Sequence, residues 1–299
     1  MIEAERLGGV FAGQVAVVAL GKAGSREMTA KSDLDLMTLY AADDPAGMSS
    51  IKAWGAETFY ARFTQRMIAA LSAPTGEGTL YEVDMKLRPS GAKGPVAVSF
   101  GAFDEYYERE AETWELLALT RARVVWASSP EFKARAEGAI EAALRRPREW
   151  KKTAADVIDM RELMERERPG KGDWDLKLEP GGLVDIEFAA QFLQLAHAAG
   201  GGPLRQNTGE ALAALREAGL ADEGALSRLE TAWRLEQDLS QLIKVALEDG
   251  LDVEAEPKAF KALLAKAGHV SQFKSLKPKL AKAKAEARAA YKAIVKGAG

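Results

Sequence analysis

Residues Gly21–Leu39 read GKAGSREMTAKSDLDLMTL and contain the pattern from which the fold of the first part of the chain is inferred. A short apolar run leads into this segment, and Gly21 and Gly24 then indicate a turn. Two aspartates follow, at positions 33 and 35. Because alternate residues of a strand point to the same side, Asp33 and Asp35 are predicted to share one face of a second strand.

A third carboxylate comes from a later segment, 79–87, which reads TLYEVDMKL and alternates between apolar and polar residues. This alternation predicts a half-buried strand with Asp84 on its polar face. Carboxylate oxygens suit magnesium, and two such ions can hold the attacking and leaving oxygens of a phosphoryl displacement. Asp33, Asp35 and Asp84 are therefore predicted as catalytic metal ligands. The alternative is that Asp-x-Asp is an ordinary surface pattern.

The glycine turn would let backbone N–H groups approach a triphosphate closely. Lys22 and Arg26 could add positive charge there, and Arg88 could neutralise phosphate charge beside Asp84. The alternative for Arg88 is a salt bridge to Glu82 or Asp84. The GKAGS sequence is not a P-loop, which requires the pattern G-x-x-x-x-G-K-[ST], and no G-x-G-x-x-G motif supports a dinucleotide fold.

Beyond residue 99 the apolar spacing predicts mainly helices. Trp114 is expected in the core, on a helix that runs toward Val125, whereas Arg121 and Arg123 receive no role. The predicted architecture is a front domain over residues 1–135 with strands, followed by a helical domain over 136–299. Ser99 is expected to cap a helix. The other predicted helices lie at 50–71, 154–168, 183–197 and 222–248.

Two charged segments of the rear domain are given structural interpretations. Asp185 and Glu187 would lie about 200° apart on a helix, so they should not bind one ion together. Asp185 is expected to cap the helix or to face a partner. Segment 274–296 is rich in lysine and alanine, which is typical of a solvated helix rather than a surface that binds single-stranded nucleic acid.

Composition excludes several classes of protein. The 299 residues carry a net charge of −3, so nothing indicates a nucleic-acid-coating protein. The chain has no cysteine, which excludes disulfides and suits a reducing cytoplasm. Its 2 histidines, far apart in sequence, argue against zinc chemistry and a histidine-based triad. No apolar run has the roughly 18 residues that a membrane span requires.

Four blocks of sequence resemble the bifunctional glutamine synthetase adenylyltransferase/adenylyl-removing enzymes, a family with a polymerase-β-like nucleotidyltransferase core. They are GKAGSREMTAKSDLDL, LYEVDMKLRPSGAKGPV, TWELLALTRARVV and LKLEPGGLVDIEF, and they occur in the order found in that family. The sequence of these blocks is most similar to that of the C-terminal, adenylylating unit of the family. The family usually has Leu-Gly-Gly where this chain has residues 23–25, Ala-Gly-Ser.

The resemblance implies an α+β fold with a small mixed sheet, followed by an all-helical bundle. It also implies that two Mg²⁺ ions are held by the three aspartates and that Gly24 and Ser25 bind the triphosphate of ATP. A tyrosine hydroxyl of glutamine synthetase would attack the α-phosphorus and expel pyrophosphate. Asp84, or the metal beside it, would help remove the tyrosine proton. The PII signal protein and glutamine are the implied regulators.

Three alternatives remain open from the sequence. The chain could be the adenylyl-removing unit, which uses phosphate to release ADP. It could be a related nucleotidyltransferase, such as a uridylyltransferase, that acts on another protein. It could also be a non-catalytic module that docks glutamine synthetase or PII, although an intact acidic trio is a repulsive arrangement that such a module does not need.

Overall fold

The computed structural model describes residues 8–79, 81–247 and 252–297. Leu80 of the predicted strand and Glu248 of the last predicted long helix lie outside the described residues. The chain forms two compact units, one of Met1–Met28 with Ser32–Leu144 and the other of Thr29–Lys31 with Arg145–Gly299. The predicted α+β architecture, a small mixed sheet followed by helices, is confirmed.

The first unit is built on a mixed sheet of five described strands. The almost fully buried strand β1 lies between β2 and β5 and is antiparallel to both. On its other edge, β2 pairs in parallel with β3 near its start and with β4 further along. The bounds are β1 Gly13–Ala19, β2 Leu34–Ala42, β3 Val83–Asp84, β4 Ala97–Ser99 and β5 Arg123–Ala127.

The short length of β3 corrects the predicted strand over residues 79–87. The chain leaves β2 after Asp84 because the Asp84 carboxylate accepts a hydrogen bond from the Lys86 N–H, at 2.7 Å, and so replaces the strand ladder by a local turn. The Arg88 N–H then donates to the Met85 carbonyl at 3.4 Å, which continues the turn. Alternation of polar and apolar residues does not distinguish these two outcomes.

A second correction concerns the helix predicted from Trp114 toward Val125. The helix ends at Leu119, and the chain re-enters the sheet as β5, where β-branched and aromatic residues favour an extended backbone. Trp114, which was expected in the core, is 43% exposed.

Five helices are described in the first unit. Helix α2 covers one face of the sheet, where the rings of Tyr40 and Tyr60 stack with centroids 4.3 Å apart. The predicted cap at Ser99 is confirmed, since its hydroxyl accepts from the Ala102 N–H at 3.3 Å. The predicted domain boundary after residue 135 falls inside the fifth helix. The bounds are α1 Gly21–Ser25, α2 Ala56–Leu71, α3 Phe100–Arg109, α4 Thr113–Leu119 and α5 Pro130–Arg145.

The described part of the second unit is helical. The predicted helices at 154–168, 183–197 and 222–248 are present with shifted ends, and Asp222 caps the last of these at its N-terminus. No helix in the described ranges is both long and apolar enough to cross a membrane. The bounds are α6 Trp150–Glu167, α7 Leu183–Ala198, α8 Thr208–Glu217, α9 Glu223–Ala246, α10 Lys258–Ala267 and α11 Leu276–Gly297.

A buried ionic network joins three helices of this unit. The Asp185 carboxylate on α7 is fully buried and accepts from the Arg161 Nε of α6. Arg288 Nη1 on α11 lies 3.1 Å from each oxygen of Asp185. The Gly181 N–H donates to Asp185 Oδ2 at 2.6 Å. Arg288 Nη2 also contacts Glu165 Oε1 at 2.6 Å. Asp185 is thus a hub of internal hydrogen bonds.

The lysine-rich composition of α11 predicts a solvated helix, but Lys284 shows that one side of this helix is buried. Its side chain is only 7% exposed, and its ammonium donates to the carbonyls of Asp173 and Asp175 at 2.8 and 2.9 Å. Several apolar residues of the same helix are buried, including Leu280 and Ile294.

Glu236 on α9 is fully buried, and neither of its carboxylate oxygens accepts a hydrogen bond within the described parts of the chain. Burial raises the pKa of Glu236 well above its ordinary value, the charge of Asp185 adds to the shift, and the charge of Lys284 and the nearby Leu183 N–H oppose it. That N–H is committed to the Leu176 carbonyl at 2.8 Å. The folded protein therefore favours the neutral carboxylic acid at this position.

We expect Glu236→Gln to raise the free energy of unfolding at pH 8 and to leave it nearly unchanged at pH 4. Because the pKa of Glu236 is raised in the folded protein, folded molecules keep a proton that unfolded molecules lose above about pH 4.3. The free energy of unfolding therefore falls as the pH rises from there toward the folded pKa. The amide carries no charge and abolishes this loss. Urea unfolding at both pH values measures the difference, with the exposed Asp238→Asn on the same helix as control. An equal effect at the two pH values would contradict the expectation.

Candidate active site

The register of the sheet brings two of the predicted carboxylates together. Asp35 is the second residue of β2 and lies directly opposite Asp84 in the parallel pairing with β3. Neighbouring strands are about 4.8 Å apart, and in-register residues of parallel strands point to the same side. Asp33 precedes β2 by one residue and is exposed. The three aspartates therefore lie near the start of β2, although Asp33 falls outside the strand that was predicted to contain it.

All three carboxylates act on the ammonium group of Lys86. Lys86 Nζ lies 2.9 Å from Asp84 Oδ2. The hydrogen bond and charge of Asp84 raise the pKa of Lys86 above its ordinary value, and the charges of Asp33 and Asp35 add to the shift. Among the described residues, no three acidic or histidine side chains are close enough to hold a metal ion in this arrangement. The cation that Asp84 contacts here is the lysine.

Asp84 is held in its charged form. Partial burial alone would raise the pKa of Asp84, but two hydrogen bonds from Lys86, together with the charges of Lys86 and Arg88, lower it below its ordinary value. The carboxylate is thus ionised at neutral pH and is a ready ligand for a cation.

The glycine turn packs closely against Asp35. Gly21 has φ +50°, and a Cβ atom at this position would lie 2.0 Å from Asp35 Oδ2. Only glycine provides both the backbone conformation and the space. The Leu20 N–H donates to the Asp35 carbonyl at 2.8 Å, which fixes the turn to the start of β2. The turn and the carboxylate therefore form one local unit.

The residues predicted to bind the triphosphate lie on the same short helix, α1. Gly24 and Ser25 are buried, and the Gly24 N–H donates to the Leu20 carbonyl at 2.7 Å. A Cβ atom on Gly24 would lie 2.0 Å from the Arg121 carbonyl oxygen, so this glycine allows close packing with the segment before β5. Lys22 is half-buried and Arg26 is exposed.

Arg88 holds the loop that follows Asp84. It is 8% exposed, and its nitrogens donate to backbone carbonyls instead of a carboxylate. Nη1 contacts the carbonyl of Met85 at 2.6 Å, Nη2 that of Gly94 at 2.9 Å and Nε that of Pro95 at 2.8 Å. This geometry closes the loop and fixes the residue next to Asp84.

Arg123 is a positioning residue that the sequence did not reveal. From the first position of β5 it donates to the Gly24 carbonyl through Nε, at 3.0 Å, and to the Ala23 carbonyl through Nη2, at 2.8 Å. These carbonyls end helix α1, where a cation is favourable. The run Val124-Val125-Trp126 was the available signal, because it indicates a strand and would have separated Arg123 from the preceding helix.

We expect Arg123→Met to lower the free energy of unfolding by about 2 kcal/mol, because two hydrogen bonds from a charged group are lost and two carbonyls lose their donor. Urea unfolding followed by circular dichroism measures this change. Arg109→Met is the matched control, since Arg109 is 68% exposed and pairs only loosely with Glu105, at 3.4 Å. Equal free energies of unfolding for the two variants would show that the hydrogen bonds of Arg123 to α1 do not stabilise the fold.

Glu115 has a structural role rather than a chemical one. Its side chain accepts from the Glu112 N–H at 2.9 Å and from the Tyr106 hydroxyl at 2.6 Å, forming a capping box at the start of α4. The hydrogen bond follows burial as a cause of the raised pKa of Tyr106, which lies at about 12.

The mixed sheet and the three aspartates at the start of β2 resemble those of nucleotidyltransferases. Comparison with family models also matches this chain to nucleotidyltransferases. Residues 6–139 match the glutamate-ammonia ligase adenylyltransferase family, and residues 158–293 match the GlnD PII-uridylyltransferase family. Each match covers less than half of the chain. The three aspartates and the glycine turn all lie within the first match.

Individual relatives are similar to nearly the whole chain. A bifunctional glutamine synthetase adenylyltransferase/adenylyl-removing enzyme of Caulobacter vibrioides is 87% identical over 99% of this chain. Proteins of the same name from Brucella suis and Xanthobacter autotrophicus are 44% and 42% identical, each over 98% of the chain. The chain spans 30% of the length of these relatives. The resemblance predicted from the sequence is confirmed.

Proposed function

We propose that this chain transfers AMP from ATP to a tyrosine hydroxyl of glutamine synthetase and releases pyrophosphate. The observation that carries the proposal is the acidic cluster of Asp33, Asp35 and Asp84 beside a glycine turn, within the part that matches the adenylyltransferase family. The names of the similar proteins support this choice of acceptor.

The three aspartates are the proposed ligands of two Mg²⁺ ions. Their oxygens suit this ion, and one of them, Asp84, already binds a cation, the ammonium of Lys86. When bound, magnesium would neutralise phosphate charge and stabilise the attacking and leaving oxygens. Lys86 is 74% exposed, so its flexible side chain can leave Asp84 without disturbing the core.

The chain's own residues divide the remaining tasks. Gly21 leaves room for Asp35, and Arg123 holds the turn that carries Gly24 and Ser25. We propose that these two residues, at the end of α1, bind the triphosphate, with Lys22 and Arg26 adding positive charge. Arg88, proposed on sequence grounds to bind phosphate, would contribute mainly by fixing the loop after Asp84.

In the proposed reaction the tyrosine oxygen forms a bond to the α-phosphorus as the bond between the α-phosphorus and its bridging oxygen breaks. The tyrosine proton leaves, and free tyrosine has a pKa of about 10, so its removal needs help. The cluster at Asp84 is the proposed source of that help. PII and glutamine as regulators, and a cytoplasmic location, belong to the same proposal.

The test incubates the protein with unmodified glutamine synthetase, Mg²⁺ and α-labelled ATP, with and without glutamine. Label on glutamine synthetase and release of pyrophosphate are expected. A parallel reaction with labelled UTP and PII tests the alternative that the match of residues 158–293 suggests. A third reaction, with adenylylated glutamine synthetase and phosphate, tests AMP removal as ADP. Absence of label from glutamine synthetase under every condition would overturn the proposal.

A further inference from the structure

The helical unit contains a cavity of about 450 Å³ that has no part in the proposed transfer. It is formed by α7, α9 and α11 together with the start of α6. Its volume lies within the range of small-molecule sites, which are mostly apolar with a few polar groups. Its apolar walls include Trp150, Phe192, Leu193, Leu220 and Ile294.

Three polar residues, His197, Asp222 and Arg228, also line the cavity. One oxygen of the Asp222 carboxylate caps α9, because Oδ1 accepts from the Ala225 N–H at 2.7 Å. Arg228 Nη2 lies 3.8 Å from the same oxygen, which is beyond hydrogen-bonding distance. The Arg228 side chain is 46% exposed, so its guanidinium can bind a ligand that enters from solvent.

We infer that this cavity binds a small monocarboxylate with an apolar body. The apolar walls suit a hydrocarbon or aromatic group, which gains free energy by leaving water. The planar guanidinium of Arg228 matches the two oxygens of a carboxylate, with which arginine commonly forms paired hydrogen bonds. A cationic head group would be repelled by the guanidinium, and the Asp222 carboxylate, which is 75% exposed and caps α9 through Oδ1, offers it no paired hydrogen bonds inside the cavity. Charge and shape therefore select the carboxylate.

The experiment measures binding of decanoate to the full chain by isothermal titration calorimetry. Decanol and decylamine carry the same apolar body with a neutral and a cationic head group. Ala196→Phe fills the cavity, and Ala199→Phe, at the exposed end of the same helix, is its control. Arg228→Gln removes the guanidinium, and Arg234→Gln, 67% exposed on the same helix, is its control. Circular dichroism confirms that each variant is folded.

Decanoate is expected to bind more tightly than either of the other probes. Arg228→Gln should weaken decanoate about ten- to a hundredfold, as loss of a charge-assisted hydrogen bond does, and Ala196→Phe should abolish binding of decanoate. The carboxylate assignment is overturned if decanol or decylamine binds as tightly, or if Arg228→Gln has the effect of Arg234→Gln. The cavity itself is overturned if no probe binds or if Ala196→Phe binds decanoate normally. If Ala196→Phe is unfolded, the Arg228→Gln result decides.

Discussion

Asp35→Asn should lower the rate of AMP transfer about a thousandfold or more while the fold stays intact. Losing one charge from a cluster that stabilises a transition state typically costs two to three orders of magnitude, and loss of a metal ligand costs at least as much. Asparagine has nearly the same shape as aspartate, so the close contact with Gly21 is kept. The backbone hydrogen bond from Leu20 to residue 35 is unaffected by the substitution.

Asp84→Asn should have a similar effect on the rate for a related reason. This substitution also removes the ion pair with Lys86, but that lysine is 74% exposed, and exposed pairs contribute little to stability. The loss of activity would then come from the site and not from unfolding. Label transfer to glutamine synthetase measures the rate, and circular dichroism reports the fold.

Glu82→Gln is the matched control for both substitutions. Glu82 is an exposed carboxylate two residues before Asp84 and is not a proposed ligand. Its loss changes the net charge by the same amount, so a nonspecific electrostatic effect would appear in all three variants. Normal transfer by Asp35→Asn or Asp84→Asn would remove that residue from the proposed metal site.

Asp185→Asn should lower the free energy of unfolding by about 3–5 kcal/mol, the usual cost of leaving a buried ion without its partner. Arg161 is only 1% exposed, and Arg288 is 18% exposed at the side chain. Both guanidinium groups would lose the buried carboxylate between them and would keep only Glu165, which is 30% exposed, as a charged neighbour. The Gly181 N–H would also lose its ionised acceptor.

Urea unfolding followed by circular dichroism measures this loss. Lys282→Met is the control, because Lys282 Nζ is 3.8 Å from Glu286 and its side chain is 78% exposed, so the change should stay within about 0.5 kcal/mol. A loss below about 1 kcal/mol for Asp185→Asn would show that the network is replaced by water or by other donors. The double variant with Arg161→Met should recover part of the loss, since it also removes the buried cation that lost Asp185 as its partner.

The sequence predicted the parts of the site that depend on local spacing. Asp33 and Asp35 are two apart at the start of β2, with Asp33 just outside the strand, and the polar face of the next predicted strand supplied Asp84. Short-range turns were less visible, since the end of β3 depends on a hydrogen bond from the Lys86 N–H to a side chain. Strand β5, which contains Arg123, was not predicted, because the apolar spacing of the preceding helix was read as continuing toward Val125.

Contacts between distant positions could not be predicted from spacing at all. Asp185 meets Arg161 and Arg288 across 24 and 103 residues of sequence. Arg123 contacts Gly24 across 99 residues. Each of these pairs depends on how helices and strands pack in three dimensions, and a charged residue gives the same local pattern whether it is buried in a network or solvated.

The two-residue length of β3 has a consequence for heat tolerance. Asp84 is attached to the sheet by a minimal ladder and is otherwise kept in place by the Lys86 N–H and by Arg88, which holds the neighbouring Met85 carbonyl. Short edge elements with few backbone hydrogen bonds open at lower free energy than the core of a sheet. On warming, the third carboxylate should therefore separate from the other two before β1 and β2 melt, and inactivation would precede unfolding.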